Sequence, residues 1–157
     1  PYTPPTPLFH GMRVALDRLF AEGLEAVFAR HHRLAEGVRR AVTAWGLSPC
    51  ATDPALYSDT VTAVQVSAAV DARDVLRIAY EDYATSFGGG LGPLMGRAFR
   101  IGHLGDLNEG MVLTALSVAE LALARAGEPV QLGSGVAAAQ TWFVESALTR
   151  PAAMAAA

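Results

Sequence analysis

The sequence predicts an α+β fold, a small sheet packed with helices. Three observations lead there. Apolar residues recur at helical spacing over most of the chain, three short strand-like runs interrupt that pattern, and the resulting order is helix, helix, strand, strand, helix, strand, helix, helix. The 157 residues are 52% hydrophobic and 17% charged, enough apolar material for one packed domain and too short a chain for two.

The opening PYTPPTP is extended, because each residue before a proline is pushed out of the helical region. Leu8, Met12, Ala15, Leu16, Leu19 and Phe20 then mark a helix ending near Gly23. A longer helix follows on Leu24, Val27, Phe28, His31, Leu34, Val38, Ala41, Val42 and Trp45, with Gly46 as its stop. LSPCAT reads as a short edge strand weakened by Pro49. DTVTAVQVS, residues 59 to 67, is a β-branched run suited to a strand buried on both faces.

DARDVLRIAYEDYA predicts a helix capped by Asp71, and GGGLG reads as a flexible connection. Residues 97 to 103 form the next strand. Asp106, with Glu109 in a capping box, starts a helix over 107 to 126 carrying Met111, Val112, Leu116, Ala119 and Leu123. Gly127 and Pro129 stop it, and EPVQLGSG leads to a last helix from Val136 to about Leu148.

Net charge is −3, and the one short basic cluster, Arg30, Arg33, Arg39 and Arg40, reads as a solvated helix face; no nucleic-acid partner is expected. The single cysteine, Cys50, has no partner for a disulfide or a zinc site and no neighbour to lower its thiol pKa, so it reads as buried and inert. No apolar run reaches membrane-spanning length and no leader pattern opens the chain, so no membrane partner and a cytoplasmic setting are expected. All twelve basic residues are Arg, and the chain starts at Pro1. Together these suggest a fragment.

Arg100 is the main candidate site residue. Between Phe99 and Ile101 its guanidinium needs a partner if buried, and its planar fork fits the carboxylate of an amino acid. Strand alternation equally allows a solvent-facing or structural role. His103, closing the same run, is expected on the same face and in the same pocket. GGGLGPLMG permits positive φ and close backbone approach, but lacks the pattern of a phosphate-binding or dinucleotide loop. Tyr2 and Thr3 offer hydroxyls at the mouth of a helix, a natural phosphate position that serves equally as a plain lead-in. His31 reads as a satisfied core histidine and His32 as its polar-side neighbour; no metal site is expected.

The strings PYTPPTPLFHGMRVALDRLFAEGLE, GGGLGPLMGRAFRIGHLGDLNE and ELALARAGEPVQLGSGVAAA resemble the C-terminal part of bacterial serine–glyoxylate aminotransferases. These are class V, fold type I enzymes that use pyridoxal 5′-phosphate (PLP). The resemblance runs in order over nearly the whole chain. It implies that residues 1–22 are a linking segment and helix from a large domain, that 23–150 form the small C-terminal domain, and that 151–157 are a frayed tail. It also implies that helices 8–22 and 107–126 turn apolar faces to the missing domain.

By the same resemblance Arg100 binds the carboxylate of the amino- or 2-oxo-acid substrate. Thr3 reaches the PLP phosphate of the neighbouring subunit in a homodimer. The Schiff-base lysine lies upstream, so no catalytic residue is assigned in this chain and the chain alone is expected to be inactive. The activity implied is transfer of an amino group from L-serine or L-alanine to glyoxylate. The alternative is a non-enzymatic α+β module for dimerisation or small-acid binding. A further variant, a cysteine desulfurase, needs a mobile exposed cysteine, which Cys50 beside Pro49 does not offer.

Overall fold

The computed structural model describes residues 3–148. Tyr2 and the expected tail at 151–157 lie outside the described residues. The elements in chain order are α1 (Thr6–Glu22), α2 (Leu24–Ala44), β1 (Ser48–Pro49), β2 (Val61–Gln65), α3 (Ala72–Tyr83), β3 (Gly88–Gly89), β4 (Ala98–Gly102), α4 (Glu109–Arg125) and α5 (Ser134–Leu148). Short 3-10 turns occupy Pro54–Leu56 and Gly92–Leu94. The architecture is the α+β fold expected: a four-stranded antiparallel sheet, order β1-β2-β4-β3, packed with helices.

The core follows from the apolar stripes. Leu34, Val38, Ala41 and Val42 of α2 meet Val64 of β2, Phe99 and Ile101 of β4, Val75 and Ile78 of α3, and Leu116 and Leu123 of α4 in one buried cluster. Gly46 ends α2 at φ +74, where a left-handed residue lets the Leu47 N–H return to the Val42 carbonyl at 3.1 Å. α5 lies against α2 so closely that a Cβ on Gly37 would stand 2.4 Å from the Phe143 ring. Asp71 caps α3 as expected, its carboxylate accepting the Arg73 N–H at 2.9 Å.

Several expectations are corrected. β2 is buried on one face and half-exposed on the other, because the helices of this chain cover only one side of the sheet. The glycine run is not simply a connection, since Gly88 and Gly89 pair with Arg100 and Phe99 as an edge strand. The cap of α4 is Asn108, which accepts the Met111 N–H at 3.0 Å, while Asp106 pairs with Arg18. The apolar face of α4 is covered by α2, α3 and α5 within this chain, with Val112, Leu116, Ala119 and Leu123 all buried. α1 is the contrast: none of its residues is buried, and Leu8, Phe9, Met12 and Phe20 are exposed.

Of the arginine cluster on α2 only Arg40 is exposed, as a solvated face requires. Arg39 is buried and bonded to Glu36 and Asp59, Arg30 holds Glu22 through two hydrogen bonds, and Arg33 pairs with Glu109.

Candidate functional site

Arg100 lies at the middle of β4, opposite Ala63 on β2 and Gly88 on β3, on the sheet face away from the core. Strand alternation sends Phe99 and Ile101 inward and Arg100 outward. The side chain is half-buried, and its Nε–H donates to the Gly89 carbonyl at 2.9 Å. No carboxylate among the described residues pairs with it. Every described arginine other than Arg100 and Arg97 has one. A guanidinium carries five N–H donors in a rigid fork, so Arg100 is held in place with most of its donor capacity still open.

His103 does not share this site. It lies an odd number of positions from Arg100, which in a strand means the opposite face. It is fully buried, with Nε2 at 2.9 Å from the Thr62 hydroxyl and Nδ1 at 3.1 Å from the Asp59 carbonyl. Burial, with the Arg39 charge nearby, pushes its pKa down to about 4, so it is a neutral structural histidine.

His31 is a satisfied core histidine. Its Nδ1 lies 2.7 Å from the Val27 carbonyl and Nε2 accepts the Gly105 N–H at 3.0 Å. Arg30 donates to the carbonyls of Gly105 and Leu107, so α2 holds the loop after β4 from two sides. His32 is exposed beside Asp59. Burial raises the Cys50 thiol, which makes it a poorer nucleophile. Among the described residues no group of three or more His, Cys, Asp or Glu side chains is placed to hold a metal ion.

Thr3 is exposed in the extended lead-in to α1. The first turn of α1 has no side-chain cap. Its backbone donors are nonetheless taken: the Thr6 N–H bonds the Pro4 carbonyl at 2.8 Å, the Leu8 and Phe9 N–H groups bond the Pro5 carbonyl at 2.9 and 3.4 Å, and Pro7 has none, so what this segment offers an anion is the Thr3 hydroxyl.

Arg97, exposed and unpaired, borders a cleft of about 570 Å³ between the Ser67–Val70 turn and Met95. The other charged groups there are closed on each other: Arg73 holds the Asp71 carboxyl down at about 2. The cleft does not include Arg100.

Two features escaped the sequence reading. Glu120 is buried in the apolar stripe of α4, where a carboxylate between Leu116 and Leu123 was the available signal. The relation of Gly88 and Gly89 to Arg100 had a signal too, the glycine run itself, but pairing across strands is invisible in one dimension.

No family model matches the chain. Curated relatives do. It is 54% identical over 143 residues to the L-aspartate–glyoxylate aminotransferase of Paracoccus denitrificans, covering 91% of this chain and 36% of that protein. It is 54% identical over 147 residues to the serine–glyoxylate aminotransferase of Hyphomicrobium methylovorum, covering 94% and 36%. Among solved structures, pyridoxamine–pyruvate aminotransferase from Mesorhizobium loti superposes with a TM-score of 0.87 at 35% identity, covering 92% of this chain and 37% of that one. The chain thus spans little more than a third of the length of the relatives it matches.

Together with the α+β fold, these matches define a class: over nearly its whole length the chain matches the C-terminal part of class V PLP-dependent aminotransferases. Within that class it is similar to the serine–glyoxylate enzymes, including that of Arabidopsis thaliana at 48% identity.

Proposed function

We propose that this chain is the substrate-orienting C-terminal domain of a PLP-dependent aminotransferase that moves an amino group from L-serine or L-alanine to glyoxylate. In that reading Arg100 holds the carboxylate of the amino or oxo acid. Its support is one observation: a half-buried guanidinium anchored once, to the Gly89 carbonyl, with no carboxylate partner among the described residues. A fork of this shape binds a planar carboxylate through two parallel charge-assisted hydrogen bonds and so sets the direction of the adjacent carbon.

PLP, when bound, supplies the electron sink for the reaction. Toward it this chain offers the Thr3 hydroxyl, which contacts the cofactor phosphate of the neighbouring subunit in the proposed homodimer. The chain contains no lysine, so in this reading the Schiff-base lysine belongs to the rest of the protein, and the setting is cytoplasmic.

The test is steady-state kinetics on the full-length enzyme. Arg100→Ala is expected to raise KM for both amino and oxo acid by two orders of magnitude or so, the effect of losing a bidentate charged contact. Unchanged KM values would overturn the clamp. Half-reactions followed spectroscopically with serine, alanine and aspartate decide the amino donor, and a productive reaction with aspartate alone would replace the serine or alanine assignment.

A further inference from the structure

The carboxylate clamp has a second part, made of backbone. Gly88 is the direct cross-strand partner of Arg100. A Cβ built on Gly88 would stand 3.1 Å from the Arg100 Nε and 3.3 Å from both its Cβ and Cζ. Directly opposed Cβ atoms in antiparallel strands usually keep about 4.5 to 5.5 Å. The arginine side chain thus lies flat across β3, so close that a Cβ on Gly88 would have to displace it by a few tenths of an ångström.

The other glycines of the run have different duties. A Cβ on Gly89 would meet Leu76 at 3.3 Å, and one on Gly90 would collide with the Leu94 carbonyl at 2.1 Å. Gly89 nevertheless matters to Arg100 through its carbonyl, which accepts the Nε–H at 2.9 Å.

An arginine can present two edges to a carboxylate: side-on, through Nε and one Nη, or end-on, through both Nη groups. With Nε bonded to Gly89, the side-on edge is closed. Nη1 and Nη2 have no hydrogen-bond partner among the described residues. We infer that β3 is a rest for the Arg100 side chain: the bare Cα of Gly88 lets the guanidinium lie flat, the Gly89 carbonyl fixes its rotation, and a substrate carboxylate is received end-on by Nη1 and Nη2. Gly88 is then a positioning residue, acting through Arg100. This inference rests on the clamp reading of Arg100 proposed above.

The experiment uses the full-length enzyme with three substitutions. Gly88→Ala pushes the arginine off its rest and is expected to raise KM for amino and oxo acid about tenfold or more, with kcat changed far less, because orientation of the carboxylate is lost while the reacting groups remain. The inhibition constant of propionate, a non-reacting carboxylate, is expected to rise by the same factor. Gly102→Ala, at the end of the neighbouring strand β4, is the control, since a Cβ there meets nothing within 4 Å, and it is expected to leave KM unchanged.

If Arg100→Ala raises KM while a folded Gly88→Ala behaves as Gly102→Ala does, the backbone rest is wrong and the clamp stands; if Arg100→Ala leaves KM unchanged, the clamp itself fails. Should Gly88→Ala not fold, the unsubstituted enzyme crystallised with propionate decides: oxygens on Nη1 and Nη2 with Nε still on Gly89 support the inference, and a carboxylate on Nε overturns it.

Discussion

Two charged side chains in this domain, Glu120 and Arg100, are held by opposite strategies. Glu120 is buried in α4 and fully engaged. Its Oε1 accepts N–H donors from Trp45 at 2.8 Å, Gly135 at 2.6 Å and Val136 at 3.3 Å, and its Oε2 accepts the Gly133 N–H at 2.8 Å. One carboxylate thereby joins the end of α2 to the start of α5 and satisfies backbone donors that α5 cannot use internally. A Cβ on Gly135 would stand 2.3 Å from the Trp45 Nε1, so the knot leaves no room for anything else. Arg100 is half-exposed and bonded once. A charge that holds a fold together has its bonding capacity closed inside the protein, whereas one that receives a ligand is oriented by few bonds and keeps the others open.

The largest effect that tests this contrast is on Glu120. Glu120→Ala strands the Trp45 and backbone donors in a dry interior and is expected to cost about 3 kcal/mol or more, read as a lower thermal midpoint. Glu120→Gln should fall between, because its single oxygen leaves the Gly133 N–H facing an amide NH2. A Glu120→Ala protein as stable as the parent would show that the knot is not structural.

Next comes His103, closed in the same sense. Its folded pKa of about 4 lies below the ordinary 6.5, so the unfolded chain takes up the proton first. Its contribution to stability is therefore present above about pH 6.5 and lost as pH falls toward 4, by about 3 kcal/mol in all. Thermal melts across that window should slope downward on acidification, and His103→Gln should flatten the slope. The Asp71 carboxyl, held near 2 by Arg73, titrates below this window.

Arg100 should behave in the reverse way. Arg100→Ala removes one hydrogen bond to a carbonyl and is expected to change stability by less than about 1 kcal/mol while raising KM strongly. A large stability loss with an unchanged KM would move Arg100 into the structural category with Glu120. The smallest effect is expected at Arg97, which is unpaired yet lacks a backbone rest. Arg97→Ala should alter stability by under about 0.5 kcal/mol and leave KM unchanged; a KM shift there would mean that openness alone, without orientation, suffices.

The fold was legible where the pattern is local. Both long N-terminal helices, the Asp71 cap, the Gly46 stop and the core stripe of α2 follow from spacing that repeats within a few residues. The sequence places the cap of α4 two positions early because Asp106 and Asn108 are both good capping residues, and Asp106 is drawn instead to Arg18. The arginines of α2 looked solvated because their carboxylate partners Glu22, Asp59 and Glu109 come from other elements. Arg100 itself was visible as an arginine in an apolar strand, and its family motif marked it.

What the sequence alone determined is therefore the helices, the longer strands and their order, with the short edge strand β3 missed, and the presence in β4 of a guanidinium whose chemistry suits a carboxylate, because helix and strand periodicity and the guanidinium fork are properties of the local chain. What only the tertiary structure decided is which charges are closed and which are open. That depends on who sits across a strand or a helix interface: Gly88 beside Arg100, Trp45 and Gly135 around Glu120, Thr62 beside His103. Those neighbours are distant in sequence, and burial makes the difference between a satisfied ion and a waiting one a matter of geometry.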